Sequence, residues 1–276
     1  MTHNSTQFLQ KYGAWAIVTG ASDGIGLEIA KNLASRGMNL VLVARREAIL
    51  NTLATELSDQ HRIDTQVIVA DLSNTDDVDR VLQQTNHLDV GLLVASAGFG
   101  TSGAFLDASL QREQNMLDVN MRAVLTMTHH YGKIFAQRNR GGIILLSSLV
   151  AFQGVPQSAH YAATKAYIQT LAEGLHLELA KHGVDVLASA PGPVDSGFAT
   201  RANMQMGASL TPETVARETV NALGRKMTVR PGWLSKVLEY SLTLLPRWGR
   251  ARMMGMVMRG MTQHQQSNAM SIKTTP

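Results

Sequence analysis

The stretch that decides the fold is Thr19-Gly20-Ala21-Ser22-Asp23-Gly24-Ile25-Gly26. An apolar, partly β-branched run, Ala14–Thr19, leads into it and predicts a buried strand. An amphipathic segment, Gly26–Arg36, follows and predicts a helix. The glycines let the backbone turn sharply between the two. A strand, a tight turn and a helix in direct succession are the first unit of an α/β fold.

The same alternation continues along the chain, with helix-like segments such as Ala48–Ser58 between apolar runs. Strands joined through helices pair in parallel, because a helical crossover returns the chain to the same end of the sheet. We therefore predict a doubly wound (Rossmann), mostly parallel sheet of about seven strands with helices on both faces. The further predicted strands are Asn39–Val43, Gln66–Ala70, Gly91–Ala95, Gly142–Ser147 and Val184–Ala190.

Charge is distributed unevenly over the 276 residues. The formal net charge is +4, yet residues 225–276 carry nine Lys or Arg side chains against a single acid, Glu239. The part of the chain before them is therefore acidic. This shift, next to Pro231, predicts a main domain over residues 1–232 and a C-terminal helical extension and tail over residues 233–276.

Composition excludes several classes of site. The chain has no cysteine, which rules out disulfides, thiolate metal sites and cysteine nucleophiles. Its histidines form no set with metal-ligand spacing, so we predict no metal. The N-terminus has no basic region followed by an apolar run, so we expect no signal peptide and a cytoplasmic location. We also predict no nucleic-acid partner.

The turn at residues 19–26 also predicts a ligand. Its backbone can approach a pyrophosphate closely, and the amides at the start of the next helix would point at the phosphates. A simple tight turn is the alternative. The position after a strand and before a helix favours a dinucleotide site, since that context gives a glycine-rich turn its meaning.

The end of the second strand predicts which dinucleotide is bound. An NAD site usually has an acid there for the ribose 2′-hydroxyl, but this chain has Ala44 followed by Arg45. An arginine suits a 2′-phosphate, with Ser22 as a second donor. We therefore predict NADPH/NADP+ as the cofactor, with NADH less favoured. The alternative is a solvated pair of arginines at Arg45 and Arg46.

Three side chains form a candidate catalytic group. Ser148 follows the fifth strand, Tyr161 lies 13 positions later, and Lys165 lies four positions after Tyr161. Residues i and i+4 of a helix share a face, so Tyr161 and Lys165 would point the same way. A nearby ammonium lowers the pKa of a phenol from its ordinary value of about 10 towards a working range. A serine hydroxyl could hold the substrate oxygen.

In combination, these residues resemble the short-chain dehydrogenase/reductase family over residues 12–232. The opening stretch, residues 12–26, is similar to the 3-ketoacyl and 17β-hydroxysteroid reductase branch. The sequence departs from the family at Ala95-Ser96-Ala97-Gly98, where Asn-Asn-Ala-Gly is frequent. The matching positions are Thr19–Gly26, Asp71, Ala97-Gly98, Asn120, Ser148, Tyr161, Lys165 and Pro191-Gly192-Pro193-Val194.

The resemblance implies a role for each catalytic residue. Tyr161 would be the general acid in reduction and the base in oxidation. Lys165 would hold the nicotinamide ribose and depress the pKa of Tyr161, and Ser148 would orient the carbonyl. Asn120 would anchor a water that relays protons, or else it only marks a helix kink. The residues assigned to the cofactor are Gly20, Ser22, Asp23, Gly24, Ile25, Gly26, Arg45, Asp71, Leu72, Ala97, Gly98, Tyr161, Lys165, Pro191, Gly192, Val194 and Ser196.

The predicted function is an NADP(H)-dependent oxidoreductase that transfers a hydride between nicotinamide and a carbonyl or alcohol substrate. A lid over Ser196–Leu210, with Phe198, Met204 and Met206, predicts a hydrophobic ketone, 3-oxoacyl or steroid-like substrate. These side chains could instead only pack the lid against the body. A non-catalytic NADPH-binding sensor or scaffold is the alternative function, which the presence of both Tyr161 and Lys165 disfavours.

The C-terminal extension predicts two helices, Trp233–Leu245 and Arg247–Met261, separated by Pro246. It either packs over the active site or a partner subunit, or lies on an anionic membrane surface through residues 233–262. Residues 263–276 are expected to be disordered. The family resemblance implies a homodimer or homotetramer formed through the helices that carry Asn120 and Tyr161.

Overall fold

The computed structural model describes residues 3–205, 207, 209–232 and 245–273. It confirms the doubly wound sheet: all strand pairs are parallel, in the order β3-β2-β1-β4-β5-β6-β7. Each of the six strands predicted from the sequence is found within one residue of its expected ends. The strands are β1 (Trp15–Thr19), β2 (Asn39–Ala44), β3 (Thr65–Val69), β4 (Val90–Ala95), β5 (Gly141–Leu146), β6 (Val184–Ser189) and β7 (Thr228–Val229).

Helices cover both faces of this sheet. Short 3-10 segments span Phe105–Asp107 and Leu149–Phe152, and a π-helical turn spans Asp118–Arg122. Thr211 caps the helix that begins at Pro212, since its side chain accepts a hydrogen bond from the Thr214 amide. The helices are α1 (His3–Tyr12), α2 (Gly24–Ala34), α3 (Glu47–His61), α4 (Thr75–Thr85), α5 (Leu110–Leu117), α6 (Ala123–Arg138), α7 (Ala159–Ala180), α8 (Gly197–Arg201), α9 (Pro212–Ala222) and α10 (Arg247–Lys273).

The core consists of two apolar layers, one on each face of the sheet. Successive side chains of a strand point to opposite faces, so β1 sends Ala16 and Val18 into one layer and Ile17 into the other. All three are fully buried. Burial on both faces explains why the strands read as continuous apolar runs rather than as alternating ones.

The C-terminal extension differs in part from its prediction. Residues 233–244, which hold most of the first predicted helix, lie outside the described residues. The second helix begins at Arg247 as expected, but it continues to Lys273, so the expectation of disorder is wrong for residues 263–273. That segment contains no proline or glycine to end the helix, and Gln265 anchors it through hydrogen bonds to Ser102 and Asn203. Residues 274–276 lie outside the described part. Within the described residues, no helix is both long and apolar enough to cross a bilayer.

Candidate active site

One cavity of about 840 Å³ lies at the carboxyl ends of the strands. All of the residues predicted for catalysis or cofactor binding line it, except Asn120. We call the part lined by Gly20, residues 22–26, Arg45 and Asp71 the turn end. We call the part lined by Phe198, Met204 and α10 the lid end. Ser148, Tyr161 and Lys165 line the same cavity.

The backbone of the turn end has no room for side chains at two glycines. Gly20 has φ +70°, and a Cβ there would lie 2.9 Å from the Ala97 Cα. A Cβ on Gly26 would lie 2.5 Å from the Gly20 carbonyl oxygen. The turn therefore depends on glycine both for its conformation and for the close contact between its two arms. A tight backbone at the start of α2 is suited to hold a pyrophosphate.

Thr19 braces the turn end where the sequence departs from the family pattern. Its Oγ1 accepts hydrogen bonds of 3.0 Å from the amides of both Ser96 and Ala97. The same hydroxyl donates to the Val94 carbonyl at 3.3 Å. A threonine on β1 thus joins β1 to the segment after β4. The frequent asparagines at positions 95 and 96 are not needed for that connection.

The structure adds Arg46 to the cations at the end of β2. Its guanidinium donates to the Ser22 carbonyl at 2.7 Å and to the Ser22 hydroxyl at 3.1 Å. Arg45, the arginine assigned from the sequence, instead lies 3.7 Å from an Asp71 carboxylate oxygen. Both guanidinium groups border the cavity. Sequence reasoning missed Arg46 because only the folded turn brings it against Ser22.

Asp71 has a carboxylate held in place by its neighbours. Burial tends to raise its pKa, but hydrogen bonds from the Ser73 amide and hydroxyl and the charge of Arg45 outweigh burial and lower it. Both Ser73 bonds go to one carboxylate oxygen, at 3.0 and 2.9 Å. Asp71 therefore stays ionised at the turn end of the cavity.

Tyr161 and Lys165 lie on one face of α7, as their spacing predicts. Their residues are 8% and 7% exposed, and the Lys165 Nζ lies 5.8 Å from the centre of the Tyr161 ring. The ammonium donates to the Leu146 carbonyl at 2.7 Å. Burial lowers the pKa of Lys165 from 10.5 to about 8. The group is therefore charged in neutral solution and loses its proton in mild alkali.

The expected lowering of the Tyr161 pKa is wrong for this arrangement. Burial raises the pKa of the phenol well above its ordinary value, and a hydrogen bond with Ser148 offsets only part of that rise. The physical reason is desolvation, which disfavours the phenolate more than its neighbours stabilise it. Phe198 adds to this burial, since its ring centre lies 5.4 Å from that of Tyr161.

Asn120 lies behind the cavity wall rather than in it. It is buried in the π-helical turn between α5 and α6. Its Nδ2 donates to the Phe99 carbonyl at 2.9 Å and to the Thr164 hydroxyl at 3.1 Å, and its Oδ1 accepts from the Phe99 amide. Asn120 therefore marks a helix irregularity and also ties the segment after β4 to α7. π-Helical turns of this kind are frequent at functional sites.

An ion pair connects the lid to the turn end. Arg201, the last residue of α8, lies 2.8 Å from the carboxylate of Asp23. Arg46 approaches the same oxygen at 3.8 Å. The Asp23 side chain, assigned from the sequence to the cofactor, is thus engaged by two arginines of the chain itself.

The α10 helix covers the lid end of the cavity. Its residues Met254, Val257, Met258 and Met261 line the cavity beside Phe198 and Met204 of the predicted lid. The Gln205 amide donates to the Met261 carbonyl at 2.9 Å, and Thr262 hydrogen-bonds Gln157. Met206 lies outside the described residues. For α10, the prediction that it packs over the active site is therefore confirmed. The helical spacing of its methionines was the feature of the sequence that indicated this packing.

Comparison with known proteins places this geometry in a family. A short chain dehydrogenase family model matches residues 14–207. The chain is 32% identical over 240 residues to 7beta-hydroxysteroid dehydrogenase of Mediterraneibacter gnavus, covering 82% of this chain and 89% of that protein. It is 31% identical over 244 residues to very-long-chain 3-oxoacyl-CoA reductase of Anas platyrhynchos, covering 84% of this chain and 78% of that protein. It is 29% identical over 246 residues to inactive hydroxysteroid dehydrogenase-like protein 1 of Homo sapiens, covering 87% of this chain and 74% of that protein.

Solved structures agree with these relatives. A structure of a 7beta-hydroxysteroid dehydrogenase has a TM-score of 0.83 and 30% identity, covering 89% of this chain and 98% of that chain. A short-chain dehydrogenase from Sphingobium yanoikuyae in complex with NADPH has a TM-score of 0.76 and 26% identity, covering 84% and 96%. The steroid and 3-oxoacyl relatives are consistent with the branch suggested by residues 12–26. On its motifs, its sheet and these matches, the chain belongs to the short-chain dehydrogenase/reductase family.

Proposed function

We propose that this protein is an NADP(H)-dependent oxidoreductase that transfers a hydride between the nicotinamide and a hydrophobic carbonyl or alcohol substrate. The observation that carries the proposal is the position of Tyr161. It lines one cavity with Ser148 and Lys165, between a glycine turn at one end and an apolar cover at the other. The same cavity can therefore hold a dinucleotide and a second, apolar molecule.

The turn end fits a dinucleotide with a 2′-phosphate. Gly20 and Gly26 allow the tight turn at the start of α2, where backbone amides suit a pyrophosphate. Arg45 and Arg46 at the end of β2 supply cationic donors, and Ser22 in the turn supplies a hydroxyl donor. The NADPH-bound relative from Sphingobium yanoikuyae supports the same cofactor. We therefore propose NADPH over NADH.

The side chains in the middle of the cavity suit proton transfer to a carbonyl oxygen. In reduction, the Ser148 hydroxyl holds the substrate oxygen and the Tyr161 phenol donates its proton to it. Burial keeps the pKa of Tyr161 high, so the proton stays on the phenol until the substrate oxygen becomes basic. The Lys165 ammonium stabilises the phenolate that remains. When bound at the turn end, the dinucleotide supplies the hydride.

The substrate class is proposed from the lid end and from the relatives. The side chains of Phe198, Met204, Met254 and Met258 give this end an apolar, adaptable lining. Two relatives are named for hydroxysteroids and for 3-oxoacyl thioesters, both of which carry an oxygen on a large apolar body. A bulky apolar ketone, 3-oxoacyl or steroid-like compound fits both observations.

The proposal is tested by following NADPH oxidation at 340 nm against steroid ketones, 3-oxoacyl thioesters and bulky aryl ketones. We expect turnover with at least one class, and a kcat on the order of a thousandfold lower with the Tyr161→Phe variant. A non-catalytic NADPH-binding sensor or scaffold is the second candidate, favoured by the relative named inactive. Tight NADPH binding with no turnover across the whole panel would support that candidate instead.

The oligomer is proposed from exposed apolar residues on two helices. Leu125 on α6 is 46% exposed, and Leu177 on α7 is 72% exposed. The family resemblance implies subunit contacts through the helices that carry Asn120 and Tyr161. Tyr161 lies on α7, and α6 directly continues the turn that holds Asn120. We propose a homodimer or homotetramer formed through these faces, which sedimentation velocity tests directly.

The outer face of α10 supports a peripheral membrane contact for a cytoplasmic enzyme. Trp248 and Met256 are 67% and 58% exposed there, beside Arg252 and Arg259, and the helix has no acidic residue. Aromatic and apolar side chains among arginines favour an anionic lipid surface. Co-sedimentation with phosphatidylserine vesicles at low salt tests this contact. The Arg252→Glu/Arg259→Glu double variant should remain in the supernatant.

A further inference from the structure

The first residues of the lid lie directly against the turn end. A Cβ on Gly24 of the turn would lie 3.1 Å from the Ser196 Cβ, one residue before α8 begins. A Cβ on Gly197, the first residue of α8, would lie 2.6 Å from the Asp23 Oδ2. The glycine at position 197 therefore gives the Asp23 carboxylate room to lie against the start of the lid helix.

Arg201 completes this contact with an opposite charge. Gly197 and Arg201 are four positions apart, so they share one face of α8. The Arg201 Nη1 lies 2.8 Å from the Asp23 Oδ2, and it would lie 2.7 Å from a Cβ on Gly197. The guanidinium thus folds back over Gly197 to reach the turn. An ion pair holds the lid and the turn together at this point.

The other side of the lid is attached to the substrate side of the cavity. The Ala202 carbonyl accepts a hydrogen bond of 2.6 Å from the Ser102 hydroxyl. The Gln205 amide donates to the Met261 carbonyl of α10 at 2.9 Å. Residues 196–205 therefore connect the turn end with the cover that α10 forms over the lid end.

The charge of Asp23 matters for a ligand bound at the turn end. Asp23 lines the cavity within the turn, and its carboxylate would repel a pyrophosphate bound there, because like charges at short range disfavour each other. The Arg201 guanidinium offsets this repulsion while the lid is closed. If the lid moved away, Arg46 at 3.8 Å would remain beside the carboxylate. Lid closure and dinucleotide binding should therefore favour each other, since such coupling is reciprocal.

We propose that the Asp23–Arg201 ion pair is a latch that couples closure of the lid to retention of the dinucleotide. The latch rests on the proposed function, because it takes the turn end as the dinucleotide site. Arg201 is a positioning residue, since it acts through the Asp23 carboxylate. The side chains of Asp23 and Arg201 are 30% and 43% exposed. A pair of this exposure is weak and screened by salt, so the latch produces a modest, salt-sensitive change in the dissociation rate.

Stopped-flow displacement of NADPH from the full chain measures the dissociation rate constant, koff, without requiring turnover. Arg201→Gln should raise koff about threefold, within the range of an exposed ion pair. Arg201→Lys keeps the charge and should stay close to the original protein. Adding Asp23→Asn to Arg201→Gln should lower koff again, because it removes the uncompensated carboxylate. Higher salt should reduce the difference between Arg201→Gln and the original protein.

Arg140→Gln is the matched control. It breaks an ion pair with Asp89, whose two side chains are 40% and 44% exposed, next to the start of β4. This pair lies at the amino ends of the strands, whereas the cavity lies at their carboxyl ends. Its loss should leave koff for NADPH unchanged.

Hydrogen exchange of the lid provides a second readout of the coupling. NADPH should slow amide exchange in residues 196–205 of the original protein, and slow it less in Arg201→Gln. The latch would be overturned by an unchanged koff in Arg201→Gln, by a double variant that releases NADPH at least as fast as Arg201→Gln, or by lid exchange that does not respond to bound NADPH. If the original protein showed no NADPH binding in a fluorescence titration, the proposed cofactor would fail, and the latch with it.

Discussion

The two ends of the cavity are built in opposite ways. The turn end is made of closely packed backbone, with Gly20 and Gly26 against each other and Thr19 bracing the segment after β4. The lid end is made of long, flexible side chains from segments far apart in sequence, such as Met204 and Met258. A rigid backbone site suits one fixed ligand, whereas methionines adapt to ligands of various shapes. The difference suggests that the family keeps its cofactor and varies its substrate.

The largest expected effect comes from the residue between the two ends. Tyr161→Phe removes the proton donor while keeping the ring that packs on Phe198. We expect kcat to fall on the order of a thousandfold, within the range attributed to a general acid, and the Kd for NADPH to stay nearly unchanged. Steady-state kinetics and fluorescence titration measure the two quantities. A variant with near-native kcat would show that Tyr161 is not the acid.

Titration of Lys165 should make the stability of the protein rise with pH. In the folded protein burial holds its pKa at about 8, below the ordinary 10.5. Between those values the unfolded chain binds the proton and the folded chain does not. The free energy of unfolding should therefore rise with pH from about 8 to about 10.5, by on the order of 3 kcal/mol.

Urea denaturation across this pH range, without added cofactor, measures the rise. The control is Lys165→Met, which keeps an apolar stem of similar length and should lose this part of the slope. If the two proteins show the same slope, the lysine is not titrating there. Activity should fall over the same pH range, because the Lys165 ammonium that supports Tyr161 is lost above about pH 8.

The Gly26→Ala substitution should disturb only the turn end of the cavity. The added Cβ would lie 2.5 Å from the Gly20 carbonyl oxygen, so the turn must shift. We expect a cost of about 1.4 kcal/mol, seen as a roughly tenfold weaker Kd for NADPH. Gly174→Ala in α7, where a Cβ would have no neighbour within 4 Å, is the matched control and should leave NADPH binding unchanged.

The smallest expected effect distinguishes the two arginines at the end of β2. Arg46 contacts Ser22, whereas Arg45 pairs with Asp71. Removing one charge-assisted bond from an exposed site costs about 1 kcal/mol, a roughly fivefold change in Kd. We expect Arg46→Ala to weaken NADPH binding by that factor and leave NADH unchanged. An equal loss for both dinucleotides would argue against a 2′-phosphate contact at Arg46.

Local sequence predicted the turn end well and the lid end less well. The turn at residues 19–26 is specified by residues next to one another, and Tyr161 and Lys165 are related by helical spacing. Rules for tight turns and for helical periodicity therefore predict both. Arg46 against Ser22 and the position of Asn120 behind Gly98 depend on how distant segments pack. The helix over residues 263–273 was missed for the same reason, since Gln265 is anchored by residues far away in the chain. The pKa of Tyr161 depends on burial, which no motif reports.

The cover formed by α10 has a consequence for how such proteins diverge. The helix follows the last strand of the sheet, and its cavity residues reach the lid end and not the turn end. Mutations in this terminal helix can therefore accumulate without disturbing the part of the protein that forms the turn end. A lineage could in this way acquire a new substrate while inheriting its redox chemistry intact. Protein engineers could follow the same route by exchanging the terminal helix between homologues.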